Sequence, residues 1–118
     1  MRPATVLDGI GNTPLVCVDG IYAKLEFLNP SGSIKARIAK YMIEKAEAEG
    51  TLKPGDTIVE ASSGNTGNAL SMVAAVKGYK MLVVMPNGMS RERAAISQAF
   101  GAEVLLLGDF HVNAALEK

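Results

Sequence analysis

Thr57-Ile58-Val59-Glu60-Ala61-Ser62-Ser63-Gly64-Asn65-Thr66-Gly67 is the stretch that decides the fold. A short run of strand-forming residues ends in small polar ones, and a helical pattern follows from about Asn68 to Lys77, with Gly78 as its stop. A strand that empties through glycines and hydroxyls into a helix is the first half of a βαβ unit. Downstream, Lys80 to Met85 reads as the next strand, closed by Pro86-Asn87-Gly88. Ser90 then caps a helix to about Phe100, Gly101 stops it, and Glu103 to Leu107 reads as a third strand. This alternation implies parallel strands joined by right-handed crossovers. Asn113 to Lys118 opens a further helix of six residues. Isolated helices that short are not stable, so the reading expects a fragment or an N-terminal half that needs a partner.

Upstream, Gly9-Ile10-Gly11-Asn12-Thr13-Pro14 is a turn-rich segment. Leu15 to Val18 and Ile21 to Leu25, joined by Asp19-Gly20, read as a hairpin. Ser33 is placed to cap a helix in which Ile34, Ile38, Tyr41, Met42 and Ala46 recur at helical spacing, and Gly50 ends it. The expected core face of that helix is this stripe.

The 118 residues allow one domain at most, and twelve basic and twelve acidic residues cancel. No global field recruits nucleic acid or an anionic membrane surface. Hydrophobic residues make up 48% of the chain, without tryptophan, as in an α/β protein with a buried parallel sheet. Cys17 is alone, so no disulfide framework exists, which fits a cytoplasmic address. Its apolar surroundings read as a small core position. The first residues lack a basic-then-apolar signal pattern, and no apolar run approaches the roughly 18 residues that span a bilayer.

Two stretches carry chemistry. Ser62 to Gly67 lies where open α/β sheets bind ligands, and free N–H groups of the following helix suit a carboxylate or phosphate. The plainer reading is a polar turn with Asn65 or Thr66 as N-cap. The second is Lys35, at a helix start whose positive end favours acids, not bases. Lys35, Arg37 and Lys40 crowd this N-terminus, while Glu44, Glu47 and Glu49 crowd the other end. A nearby anion and a lysine that works as a nucleophile explain the reversal; a solvated surface lysine is the plainer account. Arg91 and Arg93 read as an anion contact or a solvated helix face. His111 has no visible partner or metal-ligand spacing and receives no role, and no metal site is expected.

Together these residues resemble the cysteine synthase (O-acetylserine sulfhydrylase) and cystathionine β-synthase family, pyridoxal-phosphate enzymes of the tryptophan-synthase β-subunit fold. Gly11-Asn12-Thr13-Pro14-Leu15-Val16 resembles the family's N-terminal signature, and Asn29 to Arg37 the segment whose lysine forms the Schiff base. Glu60 to Gly67 is similar to the asparagine loop, and Met85 to Arg93 and Phe100-Gly101-Ala102-Glu103 match in kind and spacing. Ala36 and Ala61 depart from the family's usual residues, and Gly108 to Asn113 does not look like its usual glycine-rich stretch.

The resemblance implies an α/β fold, a parallel sheet with helices on both faces, here incomplete. Residues 1–35 would pack with a larger C-terminal domain, and residues 36–118 would form a small α/β domain. It makes Lys35 the Schiff-base lysine and proton shuttle, and Asn65 the contact to the pyridoxal 5'-phosphate ring hydroxyl. Ser62, Ser63 and Thr66, with Asn65 beside them, become the clamp on the amino-acid carboxylate. The implied reaction is β-replacement: O-acetylserine and sulfide give L-cysteine through an aminoacrylate, in a homodimeric family. Cystathionine β-synthase chemistry is the sister alternative. A catalytically silent fragment or partner-binding module is the alternative from another class. The family's phosphate loop and pyridine-nitrogen partner come later than residue 118.

Overall fold

The structure, a computed structural model, describes residues 2–62, 64–88 and 90–109. The expected helix at 113–118 and His111 lie outside these residues, as does Ser63. A short 3-10 turn at Val6–Gly9 precedes a hairpin of β1 (Leu15–Val18) and β2 (Ile21–Lys24). A second 3-10 turn at Glu26–Leu28 leads to α1 (Lys35–Ala48). Then follow β3 (Thr57–Ala61), α2 (Asn65–Lys77), β4 (Lys80–Asn87), α3 (Arg91–Ala99) and β5 (Glu103–Asp109).

β3, β4 and β5 form a parallel sheet in that order, with Ile58 beside Met81 and Val83 beside Val104. Met81, Val83 and Met85 point to one face and join the core with Ala69, Met72 and Val73 of α2. Gly67 of α2 lies against Val83, and Ala94 and Ala95 of α3 lie near Met85 and Leu106, so both crossover helices cover this same face. On the opposite face, where the resemblance expects further helices, Val59 and Leu105 are exposed among the described residues. α2 is the central element: Gly67 through Ala74 are all buried, because sheet, α1 and α3 enclose it. Gly78, at φ 81°, ends it by sending its N–H to the Ala74 carbonyl.

α1 turns a different face inward than its aliphatic stripe suggested. Ala36, Ala39 and Ile43 are buried, while Ile34, Ile38, Tyr41 and Met42 remain exposed. Small side chains let α1 approach α2 closely, which the larger stripe would prevent. Most of the reversed charge order also has a tertiary explanation. Arg37 pairs with Glu26, Nε to Oε2 at 2.8 Å and a second nitrogen to Oε1 at 2.9 Å. Lys40 reaches the Leu7 carbonyl. Glu47 takes Lys77 at 2.7 Å and the Tyr79 hydroxyl at 2.9 Å, with Glu44 4.0 Å from Lys77.

Glu26 organises the segment before α1. Besides Arg37 it accepts from the Thr13 hydroxyl at 2.6 Å and the Asn29 amide at 2.7 Å, while Asn29 Oδ1 accepts from the Gly11 N–H at 2.8 Å. Turn signature, lysine segment and helix start are thereby one network. The Arg37 guanidinium, with the Thr13 and Asn29 donors, holds the Glu26 carboxyl down at about 2, against an ordinary 4.5.

Asp19 and Gly20, both at positive φ, make the tight hairpin turn. The hairpin packs little: Ile21 and Tyr22 are 72% and 73% exposed, and Cys17 is exposed, not a core residue. Leu7, by contrast, belongs to the core shared by α1 and α2. Among the described residues no helix is long and apolar enough to cross a membrane.

Two outcomes follow from these contacts. A methyl group at Gly67 would lie 3.0 Å from Val83 Cγ1 and 3.2 Å from Ser62 Cβ. Gly67→Ala is therefore expected to lose about 1 kcal/mol net in urea denaturation, overpacking outweighing the helix-propensity gain; a gain would show that the contact yields freely. Because folding lowers the Glu26 pKa, its stabilisation is full above pH 4.5 and is lost as pH falls towards about 2. Thermal melts of Glu26→Gln should show a shallower decline over that window than the unaltered protein; an identical slope would remove Glu26 as a cause.

Candidate functional site

α1 and α2 run side by side in the same direction: Ile43 and Ala46 of α1 share a groove with Leu70 of α2, and further along both helices Glu47 reaches Lys77. Their far ends are fixed together by Glu47 and Lys77. Glu47 is twelve residues beyond Lys35, and Lys77 is twelve beyond Asn65. At 1.5 Å per residue both helix starts stand about 18 Å from that ion pair, at one end of the domain. Lys35 and the asparagine loop, 30 residues apart in sequence, are thus carried to the same rim.

Ser31 and Gly32, both at positive φ, turn the chain sharply ahead of α1. Ile34, and not Ser33 as expected, is the N-cap of α1 and gives no side-chain cap, while the Ser33 hydroxyl one residue earlier accepts from the Lys35 N–H at 3.2 Å. Lys35 is half-buried, and its ammonium forms no ion pair or hydrogen bond with the described residues. Of the basic residues crowding this helix start, Arg37 and Lys40 have partners among the described residues and Lys35 does not.

In the loop, Ser62 is only 7% exposed and turns beneath it. Its hydroxyl accepts from the N–H groups of Gly64 at 3.2 Å and Gly67 at 2.9 Å, and its own N–H goes to the Val84 carbonyl. Ser62 therefore secures the loop from below. Its backbone N–H is committed to the sheet, and its hydroxyl retains one proton to donate. Asn65 is exposed and Thr66 half-buried, and their N–H groups find no acceptor among the described residues. These are the first donors of α2, at its positive end, where an anion is favoured. Ser71 donates to the Gly67 carbonyl at 2.7 Å and Ser97 of α3 to Asn68 Oδ1 at 2.7 Å, which completes a buried polar layer under the loop.

Sequence reading found the loop and Lys35 because their turn chemistry is local. It missed Glu26 and the Asn68–Ser97 pair, whose partners are remote in sequence. A lone acid within an apolar run, Phe27-Leu28 following it, was the available signal for Glu26. Glu60, half-buried in a groove of about 260 Å³ with Met42, Leu52, Ile58 and Leu70, has its carboxyl pushed up by burial. That groove includes neither Lys35 nor Asn65. Arg93 lies against Gly64, bringing one of the two arginines to the loop.

Comparison with known proteins identifies the family. A family described as pyridoxal-phosphate dependent enzyme matches residues 6–118. Cysteine synthase of Staphylococcus aureus (strain Mu50) is 52% identical, the match covering 92% of this chain and 38% of that protein. Cysteine synthase B of Pseudomonas aeruginosa is 49% identical, covering 87% of this chain and 37% of the relative. The chain thus spans well under half the length of these relatives. Among solved structures, a hydrogen sulfide-producing enzyme from Fusobacterium nucleatum superposes with a TM-score of 0.90 at 48% identity, over 99% of this chain and 41% of its own. O-ureido-L-serine synthase superposes with a TM-score of 0.85 at 43% identity, over 92% and 36%. With the family matched over nearly every residue, the chain belongs to the pyridoxal-phosphate dependent enzymes.

Proposed function

We propose that this chain supplies the lysine and the carboxylate-binding loop of a β-replacement enzyme that forms L-cysteine from O-acetylserine and sulfide. The observation that carries the reading is the common level of Lys35 and the Asn65 loop, set by parallel packing of α1 on α2. Two features fit pyridoxal phosphate and an amino acid. One is a lysine ammonium without a partner among the described residues; the other is a pair of N–H groups at a helix N-terminus with no acceptor there. When bound, the cofactor supplies the electron sink that loosens bonds at the substrate's α-carbon.

The chain's own residues do the rest. Lys35 is the point of covalent attachment and then carries the proton to and from the α-carbon. Half-burial beside Ala36 and Ala39 keeps its range of motion short. The Asn65 amide holds the cofactor ring hydroxyl. The N–H groups of Asn65 and Thr66, with the Thr66 hydroxyl and Ser63, grip the substrate carboxylate. Ser62 holds the loop that presents them and offers its remaining proton. Acetate leaves the β-carbon and sulfide takes its place.

The same reading assigns residues 1–35 to a larger C-terminal domain and residues 36–118 to the small α/β domain. The exposed apolar hairpin supports this division, with Leu7 as a contact between the parts. A cytoplasmic homodimer belongs to the same reading. A sister reaction is favoured by one finding: the structure from Fusobacterium nucleatum is described as hydrogen sulfide-producing. The same lysine and loop would serve if sulfide left the β-carbon instead of entering. A cystathionine-forming variant would differ only in the incoming thiol.

Titration with pyridoxal phosphate tests the reading. A visible absorption band of lysine-bound cofactor should appear and should be absent from Lys35→Ala; a band that survives the substitution removes Lys35 from its role. O-acetylserine should shift the band and sulfide restore it, whereas a response to cysteine with sulfide release selects the sister reaction. No band at all in the unaltered protein leaves the silent module as the answer. Asn65 is exposed, so Asn65→Ala should change stability by no more than about 0.5 kcal/mol while activity falls at least ten-fold. A large loss in the thermal melt would make Asn65 a structural residue.

A further inference from the structure

Ser97 has no exposed surface, and its hydroxyl gives its proton to Oδ1 of Asn68, which is 3% exposed. Four residues earlier on each segment is a second contact. The Arg93 guanidinium lies against Gly64, where an added methyl group would be 3.3 Å from Nη1. Residues 93 and 97 share one face of α3. Residues 64 and 68 bracket the first turn of α2, which contains Asn65 and Thr66. α3 therefore meets that turn at both ends, at Gly64 and at Asn68.

An apolar pair would pack two helices as well as a buried hydroxyl and amide do. The net gain of such a hydrogen bond over a shape-matched apolar contact is small, and its cost when broken is large. What the polar pair adds is direction: it admits one register of α3 on α2, where apolar side chains would tolerate several. The loop needs that restriction, because Ser62 fixes only its underside, through Gly64 and Gly67.

We propose that Ser97 is a positioning residue, which acts through Asn68 to fix the first turn of α2 and so the aim of the Asn65 amide and of the Asn65 and Thr66 N–H groups. What those groups are aimed at rests on the function proposed above; the tie itself does not. Ser97→Ala loosens the turn, and Asn68→Leu with Ser97→Ala does so while keeping the core filled, so the double variant serves if the single one fails to fold.

Amide hydrogen exchange on the intact protein, without cofactor, reads the tie directly. Amides of residues 65–68 should exchange roughly ten-fold faster in the double variant, with the β4 amides unchanged. Ile43→Val, which loses a methylene group at the α1 side of the core, is the control and should not single out the loop. With cofactor bound, the double variant should raise KM for O-acetylserine about ten-fold with kcat within about two-fold, and Ser97→Thr should recover part of the loss. Loop amides at unaltered rates, acceleration only in step with the whole molecule, or faster exchange with unchanged KM would each overturn the proposal. An unaltered protein that takes up no cofactor would defeat the functional reading and leave the exchange result standing.

Discussion

Alanines at positions 36 and 39 let the backbone of α1 lie close against α2, and the Glu47–Lys77 pair closes their far ends. Because the two helices run parallel and in register, their starts are level. The site is a consequence of that levelling. A lysine in the first turn of one helix and an asparagine in the first turn of the other arrive at the same rim without any loop having to reach. Larger side chains at Ala36 or Ala39 would push α1 outward, and Lys35 would move with it. The turn ahead of α1 is held separately, by the carboxylate of Glu26 gathering Thr13, Asn29 and Arg37.

Elements that declare themselves locally were legible in the sequence. The strand at 57–61, the hairpin with its Asp19-Gly20 turn and the glycine stops of the helices all depend on neighbouring residues, and each is where the pattern put it. The inward face of α1 was not legible. Ile34, Ile38, Tyr41 and Met42 and the set Ala36, Ala39 and Ile43 both recur at helical spacing, and only the closeness of α2 chooses the smaller set. Charge order misled for the same reason. Arg37 and Glu47 answer to Glu26 and Lys77, partners that no window on α1 contains.

The asparagine loop divides between what sequence offered and what required coordinates. Its polar residues at a strand–helix junction were legible as a place where an anion would be favoured. Which atoms remain free could not be read: Ser62 is spent largely on the loop itself, and among the described residues the N–H groups of Asn65 and Thr66 have no acceptor. The buried Asn68–Ser97 pair joins segments 29 residues apart, and neither residue belongs to any local pattern. A structure described as hydrogen sulfide-producing and one named O-ureido-L-serine synthase both superpose on this framework.

The central claim is that Lys35 holds the cofactor, and chemical trapping reads it most directly. Borohydride treatment of the protein after incubation with pyridoxal phosphate fixes the cofactor to whichever amine holds it, and peptide mapping by mass spectrometry then locates the label. The label should fall on the peptide containing Lys35 at close to one per chain. A label spread over surface lysines, or confined to a different one, would contradict the assignment.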